Sequence, residues 1–154
     1  MKASLQIEED YMENTEQHTI PAFGYELIRE VLIPELLGKE TPEILYWAGK
    51  HLARKFPLVS MDEVISFFEE AGWGYLKILK QDKHGMELEF TSPLITRHLK
   101  LKTDGCYKLE AGFLAEQIQT QKKVRTEAYE EVMKKTQVIR IILRWDMKDT
   151  ILNG

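Results

Sequence analysis

One cysteine, Cys106, stands in the whole chain. A single thiol excludes an internal disulfide and any thiolate cluster for zinc, and such sparing use of cysteine suits a reducing compartment. The histidines, at positions 18, 51, 84 and 98, never fall in a His-x-His or His-Glu-x-x-His arrangement, so a metal site has no support in the sequence. A phosphate-cradling loop, a dinucleotide fingerprint and a Gly-x-Ser-x-Gly elbow are missing as well; Gly72-Trp73-Gly74 reads as a helix stop entering a strand. Positive charge is short: 21 basic residues face 25 acidic ones, for a net charge of −4. Duplex-binding domains usually carry the opposite sign, so nucleic acid is not expected as a partner. No apolar run approaches the roughly 18 residues that a membrane span requires. The start of the chain lacks a basic-then-apolar signal pattern, and a cytoplasmic protein is expected.

What the chain does have is an ordinary globular mixture, long enough at 154 residues for one domain with a substantial core. Residues 1–18 read as a disordered acidic tail, residues 19–149 as the domain and residues 150–154 as a second tail. The apolar positions of Pro21–Leu37 surround a helix axis, which predicts a first helix buried on all sides, one of them against a partner subunit, with Pro34 kinking it and Gly38 ending it. A second helix is predicted from Thr41, its N-cap, to Phe56, with a core stripe of Leu45, Ala48, Leu52 and Phe56. A third opens with the capping-box pair Ser60 and Glu63 and stops at Gly72. The period then changes. Trp73–Gln81 and Met86–Thr91 read as strands around the turn Asp82-Lys83-His84-Gly85. A short helix from Ser92-Pro93 to about Leu101 is broken at Thr103-Asp104-Gly105. A longer helix follows from Tyr107 to Gln121. Val124–Met133 and Val138–Trp145 form a second hairpin through Lys134–Gln137, with a loose polar end from Met147. Two hairpins and grouped helices predict an α+β fold: a four-stranded antiparallel sheet with helices packed mainly on one face.

Two constellations could carry function. On the second helix, Trp47, Lys50, His51 and Arg54 share a side and could form a pocket for an anionic or aromatic partner, Arg54 offering a bidentate fork. The plainer alternative packs Trp47 on a neighbour and turns the cations to water. In the second, Cys106 precedes a helix carrying Glu110, Gly112 and Phe113. Gly112 lets another element approach closely, and a shielded Glu110 needs a cation, either as a ligand-orienting acid or as a structural ion-pair partner. Cys106 is either a reactive thiol near a helix start or a small buried hydrophobe. No catalytic residue and no metal ligand is assigned, and no cofactor is identified.

Four segments carry a resemblance: Tyr46-Trp47-Ala48-Gly49-Lys50-His51-Leu52-Ala53-Arg54-Lys55-Phe56-Pro57, Phe67-Phe68-Glu69-Glu70-Ala71-Gly72-Trp73-Gly74, Leu109-Glu110-Ala111-Gly112-Phe113-Leu114-Ala115-Glu116-Gln117-Ile118-Gln119 and Trp145-Asp146-Met147-Lys148-Asp149. They closely resemble the YslB-like family of small proteins from low-GC Gram-positive bacteria, over about residues 20–149. The order of elements is more remotely similar to TRAPP-subunit and vinyl-reductase-type ligand-binding domains. The likeness implies a helix-flanked antiparallel sheet, with Cys106 and Gly112 at positions where such domains often carry Cys and Gly. Some of those relatives hold an acyl chain in a tunnel, and many dimerise through helices. The cysteine-rich metal segment of some vinyl-reductase-type domains is missing here. By analogy, the expectation is a non-enzymatic domain that binds an apolar or acyl-like small molecule. A homodimeric protein–protein adaptor stands beside it, and a cysteine-dependent enzyme ranks last.

Overall fold

A computed structural model describes residues 19–101 and 105–151. The expected acidic tail 1–18, the Thr103-Asp104 part of the expected break and residues 152–154 lie outside the described residues.

The first helical rod is one continuous path in three pieces: α1 (Ala22–Glu26), a π-helical turn (Leu27–Leu32) and α2 (Ile33–Leu37). Pro34 has no N–H to give the turn before it, and the ladder widens ahead of it: Ile33 N–H donates to the Ile28 carbonyl five residues back. Gly38, at φ +70°, ends α2 as expected, in a conformation that a side chain would oppose. A 3₁₀ turn (Gly38–Glu40) then leads directly into α3 (Thr41–Lys55). Thr41 is therefore already inside the helix. Its hydroxyl donates back to the Gly38 carbonyl instead of capping the helix start.

Ser60 caps α4 (Met61–Glu70) as expected, accepting from Glu63 N–H at 3.2 Å, while the Glu63 carboxylate reaches back to Val59 N–H at 2.9 Å. Strands β1 (Tyr75–Gln81) and β2 (Gly85–Thr91) form the first hairpin. Ser92 caps α5 (Pro93–Lys100) through Ile95 N–H at 3.1 Å. Helix α6 (Lys108–Lys122) precedes β3 (Val124–Met133) and β4 (Val138–Thr150). The strand order is β1-β2-β4-β3, antiparallel throughout, with Leu88 opposite Ile141 where the hairpins join. β4 runs past the expected Trp145. Thr150 pairs with Val124 and Asp149 meets Arg125 at 3.0 Å, so Asp149 and Thr150 are held by the neighbouring strand.

The core lies between the sheet and α3, α4 and α6. Val64, Phe68, Leu88, Phe113, Leu114, Ile139, Ile141 and Leu143 are fully shielded from water. Each such side chain contributes about 1.5–3 kcal/mol of burial. The buried stripe of α3 is Leu45, Gly49 and Ala53, not the larger Leu45, Ala48, Leu52 and Phe56 expected from its apolar pattern. The reason is close helix crossing. A Cβ on Gly49 would collide with the Leu109 carbonyl, and one on Gly112 with the Tyr46 carbonyl. The smallest residues mark the contact because the backbones themselves touch.

The first rod departs furthest from expectation. Only Arg29 is buried along Ala22–Leu37. Phe23, Leu27, Ile28, Val31, Leu32 and Leu36 face solvent, Phe23 at 64% and Leu36 at 72% exposure. The burial on all sides that was expected, one side of it against a partner subunit, is not completed within this chain: Glu26, Arg29 and Glu30 turn inward, and the large apolar side chains from Phe23 to Leu32 turn outward.

Candidate functional site

The rod roofs a crevice whose walls come from four other places. Trp73 and Phe90 supply apolar wall at the entry to and end of the first hairpin; Leu94, Ile95 and His98 come from α5; Tyr107 and Glu110 come from the start of α6. The roof is Tyr25, Arg29 and Glu30. Arg29 is its anchor. Its Nη2 donates to Glu110 Oε1 at 2.5 Å and to the Cys106 carbonyl at 3.2 Å, and its Nη1 to the Tyr25 hydroxyl at 2.9 Å. The Arg29 and Glu110 side chains are 7% and 4% exposed. Arg29 Nε has no hydrogen-bond partner among the described residues.

A second ionic tie lies beside it. Glu26 stands 3.0 Å from Arg97 and 3.2 Å from His98 Nε2, while His98 Nδ1 lies 3.4 Å from the Tyr107 hydroxyl. Burial opposes the Arg29 charge, but the Glu110 carboxylate and the Tyr25 phenol outweigh it and hold the guanidinium above its ordinary value. Burial also pushes the Tyr25 and Tyr107 phenols and the Glu30 carboxyl upward. The space left inside is about 20 Å³, room for one water.

The residues singled out in the sequence divide. Glu110 faces the crevice and has the cation it needs, Arg29. Cys106 adjoins it, giving its carbonyl to Arg29. The Cys106 thiol is half-buried, and burial pushes its pKa up, away from the thiolate that a nucleophile requires. Gly112 and Phe113 lie behind, in the helix crossing and in a ring cluster where Phe113 stacks on Phe67 with centroids 4.8 Å apart. The α3 group does not converge on one pocket. Lys50 pairs with Glu127 at 3.3 Å, and Arg54 with Glu116 at 3.2 Å. Trp47 and His51 stack on each other on the outer side, with centroids 5.4 Å apart.

Sequence reasoning missed Arg29, Tyr25, Glu26, His98 and Tyr107 as members of this cluster. One signal was present: Arg29 is the single basic residue between Ile20 and Gly38. Among the described residues, no three His, Cys, Asp or Glu side chains group as metal ligands, and no helix is long and apolar enough to cross a membrane.

Fold and crevice together define a small α+β domain, a four-stranded antiparallel sheet flanked by helices with a crevice under its first rod. Residues 22–144 match the family described as "Protein of unknown function (DUF2507)", and this chain belongs to that family. It is 45% identical over 140 residues to "Uncharacterized protein YslB" of Bacillus subtilis (strain 168), covering 91% of this chain and 95% of that one. Among solved structures, a vinyl-4-reductase family protein from Methanocaldococcus jannaschii shares the fold with a TM-score of 0.64 at 16% identity, covering 94% of this chain and 91% of that one. An Fe(II) unliganded H-NOX protein from K. algicida matches with a TM-score of 0.56 at 9% identity, covering 94% of each chain. A trafficking protein particle complex subunit 3 from Naegleria fowleri, covalently bound to palmitic acid, matches with a TM-score of 0.46 at 9% identity, covering 86% of this chain and 92% of that one. The fold class and the YslB-like family membership read from the sequence are both seen here.

Proposed function

We propose that this chain is a non-enzymatic binding domain for a small apolar or acyl-like molecule, seated in the crevice beneath the first rod. The observation that carries this reading is the rod itself. It covers a wall of aromatic and aliphatic side chains, yet none of its own apolar residues is buried. Lifting it uncovers that wall and breaks the ties around Arg29 and Glu26, so an apolar molecule laid against the wall restores the burial that the rod gives up. Ligand sites are typically apolar concavities with a few converging polar groups, and this crevice has that chemistry. With only about 20 Å³ free, entry of anything larger than water requires the rod to move outward. Arg29 Nε, buried and without a hydrogen-bond partner among the described residues, supplies a donor for an acidic head group.

Native mass spectrometry of protein purified without detergent, followed by thermal-shift titration with a panel of fatty acids, tests this. A bound ligand at 100 times its dissociation constant adds about 2.7 kcal/mol of stability, which a melt resolves. A clean apo mass together with an unmoved melting temperature across the panel refutes it.

A second reading, a protein-binding adaptor, is favoured by the outward apolar face of the same rod.

A further inference from the structure

We infer that the outward face of the first rod is a self-association surface, and that its occupant is a second copy of this chain. This rests on the adaptor reading and names its partner.

The face is continuous and uncharged. From Ile20 to Leu32 its exposed members are Ile20, Phe23, Leu27, Ile28, Val31 and Leu32, with small Pro21, Ala22 and Gly24 between them, while Glu26, Arg29 and Glu30 turn toward the body. The π turn inserts an extra residue into the helical register, and Leu36 also stands exposed beyond it. Between Ile20 and Leu32 the charges lie inside and the large apolar side chains outside, the inverse of a surface helix in a lone domain.

Area and charge select the partner. At their observed exposures the seven apolar residues amount to about four fully exposed large side chains, an apolar patch on the order of several hundred Å², the scale that marks an interaction site. One partner's share of a standard interface is about 800 Å², of which somewhat more than half is apolar. A two-fold axis through this face would set apolar residues against the same apolar residues, with no like charges opposed. An anionic membrane would call for lysines or arginines beside the face. Its border instead holds Glu35, Lys39 and Glu40. The preceding segment of this chain carries Glu8, Glu9, Asp10, Glu13 and Glu16, an acidic sequence that does not match an apolar strip.

The test is the mass of the full chain in solution by light scattering at micromolar and tens-of-micromolar concentrations, with Ile28→Glu alongside. Ile28 is 58% exposed, so the variant keeps its fold, which circular dichroism checks. The expected result is twice the 18.0 kDa chain mass for the wild type, and a dissociation constant raised at least about 100-fold for Ile28→Glu. Leu27→Cys combined with Cys106→Ser, treated with a short bismaleimide, should then cross-link copy to copy.

A dimer that persists in folded Ile28→Glu overturns the assignment of the face. A monomeric wild type overturns the dimer, and two further measurements say what takes its place. Binding of an apolar dye that Ile28→Glu abolishes leaves the face open for a different protein. Sedimentation with vesicles of mixed neutral and anionic phospholipid assigns it to lipid. A monomer with neither property removes the adaptor reading too.

Discussion

The Arg29–Glu110 pair yields the sharpest test of how the rod is held. Replacing Arg29 by Met keeps most of the apolar stem and removes the charge. It leaves the Glu110 carboxylate, 4% exposed, without its cation, and takes a donor from the Cys106 carbonyl and the Tyr25 hydroxyl. Breaking one side of a buried pair costs about 3–5 kcal/mol, against a total of about 5–15 kcal/mol for a domain. Replacing both partners, Arg29→Met with Glu110→Leu, removes the stranded charge and should return stability to within about 1 kcal/mol of the wild type or above it.

Urea unfolding followed by tryptophan fluorescence, at one fixed protein concentration, measures all four members of the cycle. At a slope of about 2 kcal/mol per molar urea, the single variant should unfold some 1.5–2.5 M earlier. Hydrogen exchange adds a local readout: amides of Ala22–Leu37 should lose protection first in Arg29→Met. A loss below about 1 kcal/mol with unchanged rod exchange would refute the anchoring role. So would a double variant whose cost equals the sum of the singles.

Gly49→Ala and Gly112→Ala should each destabilise the fold by about 2 kcal/mol or more. The added methyl meets a backbone carbonyl of the facing helix and outweighs the gain of about 1 kcal/mol in helix propensity; an unchanged melting temperature would contradict the close crossing. Cys106 should alkylate with a pH midpoint above that of a free thiol, because burial raises its pKa, and a midpoint below that of glutathione would revive a nucleophilic role. Burial also raises the Glu130 carboxyl above its ordinary 4.5, despite Lys108 nearby. The folded state then holds the proton more tightly than the unfolded one, so this group's contribution is full below 4.5 and is lost as pH rises through the raised value. Glu130→Gln should therefore gain on the wild type as pH climbs upward from about 4.5 in paired denaturation curves, and a constant difference would count against it.

Much of the fold was legible. The clean alternation of Met86–Phe90, the turn at Asp82–Gly85 and the cap at Ser60 are local signals, and local hydrogen bonding answers them. The failures share one cause. Periodicity counts apolar residues but does not say what they touch. On α3 it favoured Ala48 and Leu52, whereas the contact is made by Gly49 and Ala53 because another backbone lies there. On the first rod it gave apolar residues all round and expected them buried, one side of them against a partner subunit. The interior instead took Arg29, through a partner 81 residues away that spacing along the chain does not reveal. Glu110 was recognised as a carboxylate in want of a cation. The cation itself was legible only as the lone base in an apolar stretch.

The two proposals meet on the same rod and so constrain each other. The inner side of Ala22–Leu37 holds to the body through Arg29 and Glu26, and its outer side carries the apolar surface. Association through the outer side adds contacts only while the rod keeps its place, so a second copy would steady the roof over the crevice. A molecule larger than water needs that roof displaced, because about 20 Å³ is free beneath it. Linkage then requires reciprocity: by whatever factor ligand weakens the dimer, dimerisation weakens the ligand. A monomeric Ile28→Glu variant should accordingly bind the same fatty acid more tightly than the wild-type dimer. Equal affinities in the two would mean that ligand enters without moving the rod, and the crevice beneath Arg29 would no longer be the place to look for it.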